Sequence, residues 1–182
     1  KVIGGLDFGQ EAASAHWTAG TVAVLTRTNR IIVADEFKER GAAVLDRQGE
    51  WMVEMQKRWG DPIGRRIAWK ADRSQMVGIN LWKKSGFTIS QSAGGSGSVD
   101  EGIKVVARML LPDAAGLPGL FYLPRLTALE DEFKEYRRDP ATTKVVKLND
   151  DLMDALRYMV EGVNVITGDP NTLYRNSLPR VR

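Results

Sequence analysis

The sequence predicts a single α/β domain built on a mixed central sheet, and three observations carry that prediction. Three β-rich runs joined by short connections open the chain. Segments with strand and helix periodicity then alternate to the far end. The 182 residues, 43% of them hydrophobic, are enough to bury one substantial core, and no repeat or second domain is visible.

Taken in order, Val2–Gly9 (Val-Ile-Gly-Gly-Leu-Asp-Phe-Gly) reads as an apolar opening strand ending in a carboxylate, Asp7. Thr21–Thr26 and Arg30–Phe37 are β-rich runs around the turn Thr28-Asn29 and form a hairpin. Val44–Trp59 has helical spacing, with Leu45, Trp51, Met52 and Met55 on or near one face, and stops at Gly60-Asp61-Pro62. A second strand, Arg66–Asp72, again ends in a carboxylate, and a helix from Gln75 to Ser85 follows it. Phe87–Ile89 is a short strand, and Ser92–Ser98 has the composition of a flexible loop. Val99–Leu111 is helical, with Ile103, Val106, Ala107 and Leu110 spaced for one buried face. Leu120–Leu123 is a short strand, Thr127–Arg137 a charged helix, and Lys144–Leu148 a strand leading into a final helix. The expected sheet has antiparallel first three strands, then strand–helix units, with helices on both faces. The domain spans 1–166. Residues 167–182, with Gly168, Pro170 and Pro179 and no periodicity, are expected to form an irregular C-terminal tail.

Composition narrows the chemistry. The absence of cysteine excludes disulfides, thiolate ligands and cysteine nucleophiles. A lone histidine, His16, argues against a histidine-rich zinc site and is read as a strand or loop residue without catalytic duty. A net charge of +3 and a pI near 9.2 suit a polyanionic partner. No apolar run reaches the roughly 20 residues of a membrane span, and no signal peptide is visible. The chain opens directly with a strand and lacks an initiator methionine, so it is read as a piece of a larger protein in a soluble intracellular setting.

The densest chemistry lies in Asn149–Tyr158 (Asn-Asp-Asp-Leu-Met-Asp-Ala-Leu-Arg-Tyr), where Asp150, Asp151 and Asp154 crowd the start of one helix. Positions three or four apart share a helix face. Carboxylates gathered this way repel one another and raise at least one pKa unless a cation sits among them. Each acid also has a plainer reading. Asp7 suits a turn with Gly9, Asp72 a helix N-cap, and Asp150 a cap for the helix that begins at Asp151. Arg157 reads as a local ion-pair partner, Leu156 and Tyr158 as core, and Asp35 and Glu36 as a solvated strand edge.

Acids at two strand ends together with an acid-rich helix resemble the ribonuclease-H-like two-metal nucleases. The order of motifs resembles, more closely, the nuclease domain of the large terminase subunit of tailed bacteriophages. Asp7 with Gly9 resembles that family's first acidic strand, and Trp69-Lys70-Ala71-Asp72-Arg73-Ser74 its second acidic motif. Ser98-Val99-Asp100-Glu101-Gly102-Ile103 resembles its Ser-Ile-x-x-Gly-Ile helix start, and Glu130–Arg137 its Glu-hydrophobic-x-x-Tyr helix. Asn149–Tyr158 resembles its closing Asn-Asp-His-x-x-Asp-Ala-x-Arg-Tyr, with Asp151 where many relatives have histidine.

The resemblance implies a metal-dependent endonuclease that cuts concatemeric viral DNA during genome packaging. It implies two Mg²⁺ or Mn²⁺ ions, Asp7 bridging both, Asp72 holding one, and Asp151 with Asp154 the other; Asp150 is a further candidate ligand. It also implies an N-terminal ATPase domain beyond this chain, the small terminase subunit and the portal as partners, and action in the cytoplasm of the infected bacterial host. No Gly-x-x-x-x-Gly-Lys-Ser/Thr occurs here, so ATP hydrolysis is not expected of this segment. The isolated domain is expected to be a monomer, with double-stranded DNA as its partner and no membrane contact. Arg73, Lys83, Lys84 and Lys104 are the candidate phosphate contacts, with Arg65-Arg66 and Arg137-Arg138 as further basic pairs. No base-reading motif is present, so salt-dependent backbone binding is expected. Three alternatives remain at this point: a junction resolvase or transposase-type nuclease of the same broad fold, an actin- or sugar-kinase-like nucleotide-binding half, and a catalytically idle DNA-binding or docking module.

Overall fold

Alternation along the first strand organises the molecule. The structure, a computed structural model, describes residues 1–9, 17–41 and 43–167, with side chains through 163. His16 and the expected tail beyond 167 lie outside the described residues. Six strands form one sheet: β1 (Val2–Asp7), β2 (Thr18–Leu25), β3 (Ile31–Glu39), β4 (Ala68–Ala71), β5 (Thr88–Gln91) and β6 (Leu120–Tyr122). Five helices accompany them: α1 (Val44–Met55), α2 (Met76–Lys84), α3 (Ser98–Leu110), α4 (Thr127–Glu135) and α5 (Asp151–Thr167). The strand order is β5-β4-β1-β2-β3-β6. β1 to β3 run antiparallel, β4 and β5 are parallel to β1, and β6 is parallel to β3. This is the ribonuclease-H-like mixed sheet that the sequence predicts, with helices on both faces.

Successive side chains of a strand point to opposite faces, and here each face has its own core. Ile3 joins Leu129, Leu152, Leu156 and Met159 beneath α4 and α5. Val2, Leu6 and Phe8 join Met52, Trp69, Ile79 and Trp82 beneath α1 and α2. The two glycines of β1 fit the same alternation. A Cβ on Gly5 would lie 1.9 Å from the Ala155 carbonyl oxygen of α5, and one on Gly4 would lie 2.3 Å from the Trp69 ring. The strand is thus pinched between a helix backbone and an indole. Among the described residues no helix is long and apolar enough to cross a membrane.

Several elements depart from the sequence-based reading. β2 begins at Thr18, earlier than expected, because Ala19 and Gly20 pair with Asp7 and Leu6. β3 carries a bulge: Val22 pairs with Asp35 and Ala23 with Val33, which leaves Ala34 without a partner. A bulge moves the following residues to the other face, so Glu36 and Lys38 turn toward α4 and α5 while Asp35 and Phe37 turn toward α1. α1 stops at Met55 and passes through a widened turn, Gln56–Gly60, and a 3₁₀ turn, Asp61–Ile63, closed by Gly64 at φ 62°. The cause is Gln56, whose amide oxygen accepts from Ile67 N–H (3.0 Å) and whose amide nitrogen donates to Asp61 (2.7 Å), so the helix end is tied to the start of β4.

Lys144–Leu148 is not a strand. It folds back on the segment after α4 through the isolated bridge Arg138–Val145, with Thr143 and Asn149 both at positive φ. The β-branched residues found no sheet edge to extend. In α3 the buried positions are Val106 and Met109, and Ile103, Ala107 and Leu110 line, together with Val106, an open groove of about 180 Å³ against Phe133, Tyr136 and Met153.

Gly5→Ala places a methyl group against the α5 backbone and is expected to destabilise the fold by about 3 kcal/mol or more. Gly162→Ala, whose added carbon would approach nothing closer than 3.5 Å, is expected to be neutral or stabilising by up to about 1 kcal/mol. Urea denaturation of the two variants checks the contrast.

Candidate functional site

Asp7 ends β1, and Asp72 directly follows β4, the parallel neighbour paired with it through Leu6 and Ala71. In-register parallel strands lie about 4.8 Å apart, so the two acids emerge side by side at the carboxyl edge of the sheet. α5 crosses that face at contact distance over Gly5, which brings its first turn, with Asp151 and Asp154, over Asp7. Three elements far apart in sequence therefore deliver four acids to one place. The electrostatics register the gathering. Burial, followed by the charges of Asp154, Asp151 and Asp72, pushes the Asp7 carboxyl from 3.8 up to about 8, with Lys147 opposing.

The other acids are held by specific donors. Asp72 accepts from the Ser74 backbone N–H (2.9 Å) at one oxygen and from the Tyr158 hydroxyl (3.1 Å) at the other. It forms a local turn rather than the helix cap, since α2 starts only at Met76. Asp154 accepts from Arg157 (3.0 Å) at one oxygen and from Lys147 (2.8 Å) at the other. Asp150 accepts from the same Lys147 ammonium at 2.6 Å. Asp151 faces Lys38 at 3.7 Å, and burial raises its carboxyl against that cation's pull. Burial also raises the Tyr158 phenol, so the hydroxyl keeps its proton and stays a donor to Asp72. Burial by itself would lower the Arg157 guanidinium, but the Asp154 carboxylate holds it well above its usual range and therefore charged. Gly102 makes room for this arginine: a Cβ there would lie 2.5 Å from its side chain.

Sequence reasoning passed over three groups at this site. Lys38 donates to the buried Glu132 (2.6 Å), which also accepts the Met153 N–H (2.9 Å) in the first turn of α5. Glu132 is the acid of the Glu-Phe-x-x-Tyr pattern ending at Tyr136, so its signal was present in that motif. Lys38 carried no signal, because only the bulge turns it to this face. Lys147 carried one weak signal, its position three residues before Asp150.

The candidate phosphate contacts separate. Arg73 lies beside Asp72, donates to the Ala93 carbonyl (3.0 Å) and packs against Gly94. Lys83 and Lys84 end α2, which runs back from the acids over its nine residues, about 13 Å, and so lie at the opposite edge of the sheet. Lys104 is exposed and paired with Glu101 at 2.6 Å. Asp35 and Glu36 are not a solvated edge. Asp35 is buried beneath the other face, bonded to Trp59 (2.6 Å) and Arg125 (2.9 Å), and Glu36 accepts the N–H groups of Ala128 and Leu129 at the start of α4.

Among the described residues no group of three acidic or imidazole side chains is already disposed to enclose an ion. Lysine, arginine and tyrosine donate to oxygens of Asp150, Asp154 and Asp72. The donor set itself is all carboxylate, the chemistry of a hard divalent cation, and the raised Asp7 marks a place where added positive charge is favourable.

The sign of the Asp7 shift sets a pH dependence. Between about pH 4 and 8 the folded state keeps a proton that the unfolded chain has lost, so stability falls as pH rises through that window and levels above it, by up to a few kcal/mol. In chelator, the melting temperature should drop from about pH 5 to 8.5, and Asp7→Asn should flatten the profile and melt higher at the alkaline end. Circular-dichroism melts across pH decide it.

No protein-family model and no curated protein matches the chain. Solved structures do match. The large terminase of one thermophilic bacteriophage superposes with a TM-score of 0.71 at 19% identity, over 92% of this chain and 39% of that protein. In another crystal form of the same terminase the values are 0.70, 18%, 92% and 40%. The large terminase nuclease from thermophilic phage G20c, solved with bound magnesium, superposes with a TM-score of 0.59 at 15% identity, over 88% of this chain and 81% of that one. The chain spans 40% of the longer terminase but most of the G20c nuclease, and it shares the fold of that nuclease.

Proposed function

We propose that this chain is the nuclease part of a viral DNA-packaging terminase, a metal-dependent endonuclease that cuts concatemeric double-stranded DNA. The observation that carries the reading is the convergence of Asp72, Asp151 and Asp154 on Asp7, the buried carboxylate raised to about 8. The fold shared with the G20c nuclease supports it, and so does that nuclease's bound magnesium.

In this reading Asp7, Asp72, Asp151 and Asp154 hold two Mg²⁺ or Mn²⁺ ions, with Asp150 as a further ligand. When bound, such ions would activate water for attack on a phosphodiester and stabilise the departing oxygen. The chain's own residues do the rest. Tyr158 orients Asp72, Arg157 orients Asp154, and the Lys38–Glu132 pair fixes the first turn of α5 against β3. Arg73 lies nearest the acids among the basic groups first considered, and so takes the role of phosphate contact. Backbone recognition of this kind is salt-sensitive and carries little sequence preference. An ATPase domain elsewhere in the whole protein, the small terminase subunit and the portal would be its working partners, in the cytoplasm of the infected host.

Supercoiled plasmid incubated with Mg²⁺, Mn²⁺ or chelator tests the proposal. Nicking should need metal and should fall by about 100-fold or more in folded Asp7→Asn and Asp151→Asn variants. Tyr158→Phe, which removes only the donor to Asp72, should lose roughly 10- to 100-fold. Unchanged cleavage in the aspartate variants would refute the assignment, and no cleavage by folded protein with either metal would favour a docking module.

A further inference from the structure

Lys147 ties two of the acids at the start of α5 together. Its Nζ lies 2.6 Å from one oxygen of Asp150 and 2.8 Å from one oxygen of Asp154, and its charge reaches Asp7. The ammonium therefore has the place and the sign of charge that a divalent ion would have at this cluster. A cation beside a helix N-terminus opposes the helix dipole, so Lys147 gains there only through the carboxylates. Its side chain is 62% exposed, whereas those of Asp150 and Asp154 are 11% and 10% exposed. The lysine can swing into solvent on its flexible stem, while Asp154 is fixed by the first turn of α5 and Asp150 by its place directly before it, its carbonyl accepting the Asp154 N–H at 2.8 Å. The segment that carries it joins no strand of the sheet, and Asn149 at φ 51° turns the chain two residues before α5 begins.

We propose that Lys147 is a built-in, displaceable counter-cation of the acid cluster: its ammonium holds Asp150 and Asp154 and must leave before those carboxylates take a divalent ion. The proposal rests on the metal-dependent reading above and adds to it a residue that sets metal affinity. Two cations cannot share the same carboxylate oxygens at hydrogen-bond distance without strong repulsion, so every ion bound there displaces the lysine.

Calorimetric titration of MnCl₂ into wild type, Lys147→Met and Lys147→Arg, each verified as folded by circular dichroism, tests it. Lys147→Met should bind Mn²⁺ at least about tenfold more tightly than wild type, a difference of about 1.4 kcal/mol, and Lys147→Arg, which keeps the charge, should show no such gain. In wild type, acetylation of Lys147 by an amine-reactive ester, read by mass spectrometry, should rise when Mn²⁺ saturates the protein. Equal or weaker binding by Lys147→Met, with wild type binding normally, would overturn the role of Lys147 and leave the metal reading standing. Absence of Mn²⁺ binding in all three proteins would overturn both. Should Lys147→Met not fold, the wild-type acetylation decides alone, and unchanged reactivity at saturating Mn²⁺ overturns the proposal.

Discussion

The close approach of α5 to β1 is the constraint on which the rest of the structure depends. Gly5 has no side chain because the Ala155 carbonyl occupies the space where one would be, and Met159 closes in beside it. That contact lets the helix lie directly on the central strand, burying Leu152, Leu156 and Met159 in one core. It also fixes how far the first turn of α5 stands from the end of β1. Asp7 and Asp154 are neighbours because a glycine two residues before one meets an alanine one residue after the other. Packing and site geometry are the same interaction seen at two points along the helix.

Bringing those acids together creates an electrostatic problem that the surrounding residues only partly solve. Lys38 faces Asp151, Arg157 and Lys147 hold Asp154, Lys147 holds Asp150, and Tyr158 donates to Asp72. Asp7, in the middle, is pushed up first by its burial and then by the charges of Asp154, Asp151 and Asp72, against the pull of Lys147. A cluster so arranged is tense where it is most buried, which is the condition under which a binding cation gains most. Arg157, which donates to Asp154, and Tyr158, which donates to Asp72, both stand on α5 about one turn beyond Asp154, so the helix supplies acids of the site and part of their support.

The sequence made much of this visible. Strand–helix alternation, the acids at the ends of two strands and the acidic start of the last helix could all be read from local pattern, because each depends on residues near one another in the chain. Other features could not. The bulge at Ala34 depends on how β3 pairs with β2, and it alone decides that Lys38 rather than Phe37 faces the acids. Lys144–Leu148 has strand-forming residues but no edge to pair with, so local propensity yields to the lack of a partner. Asp35 and Glu36 look like an exposed acidic pair until the fold places arginines and a tryptophan around one and a helix start against the other.

By itself the sequence determined most of the elements, though not the strand expected at Lys144–Leu148, and the chemical groups they carry, since periodicity, turn residues and the acid-rich motif are local properties of the chain. Only the tertiary structure decided which of those groups meet. It set Lys83 and Lys84 at the far edge of the sheet, drew Lys38, Glu132 and Lys147 into the site, and turned Asp72 toward Tyr158. The physical reason is that burial, ion pairing and pKa depend on distances between residues remote in sequence, and those distances exist only once helix and sheet have packed.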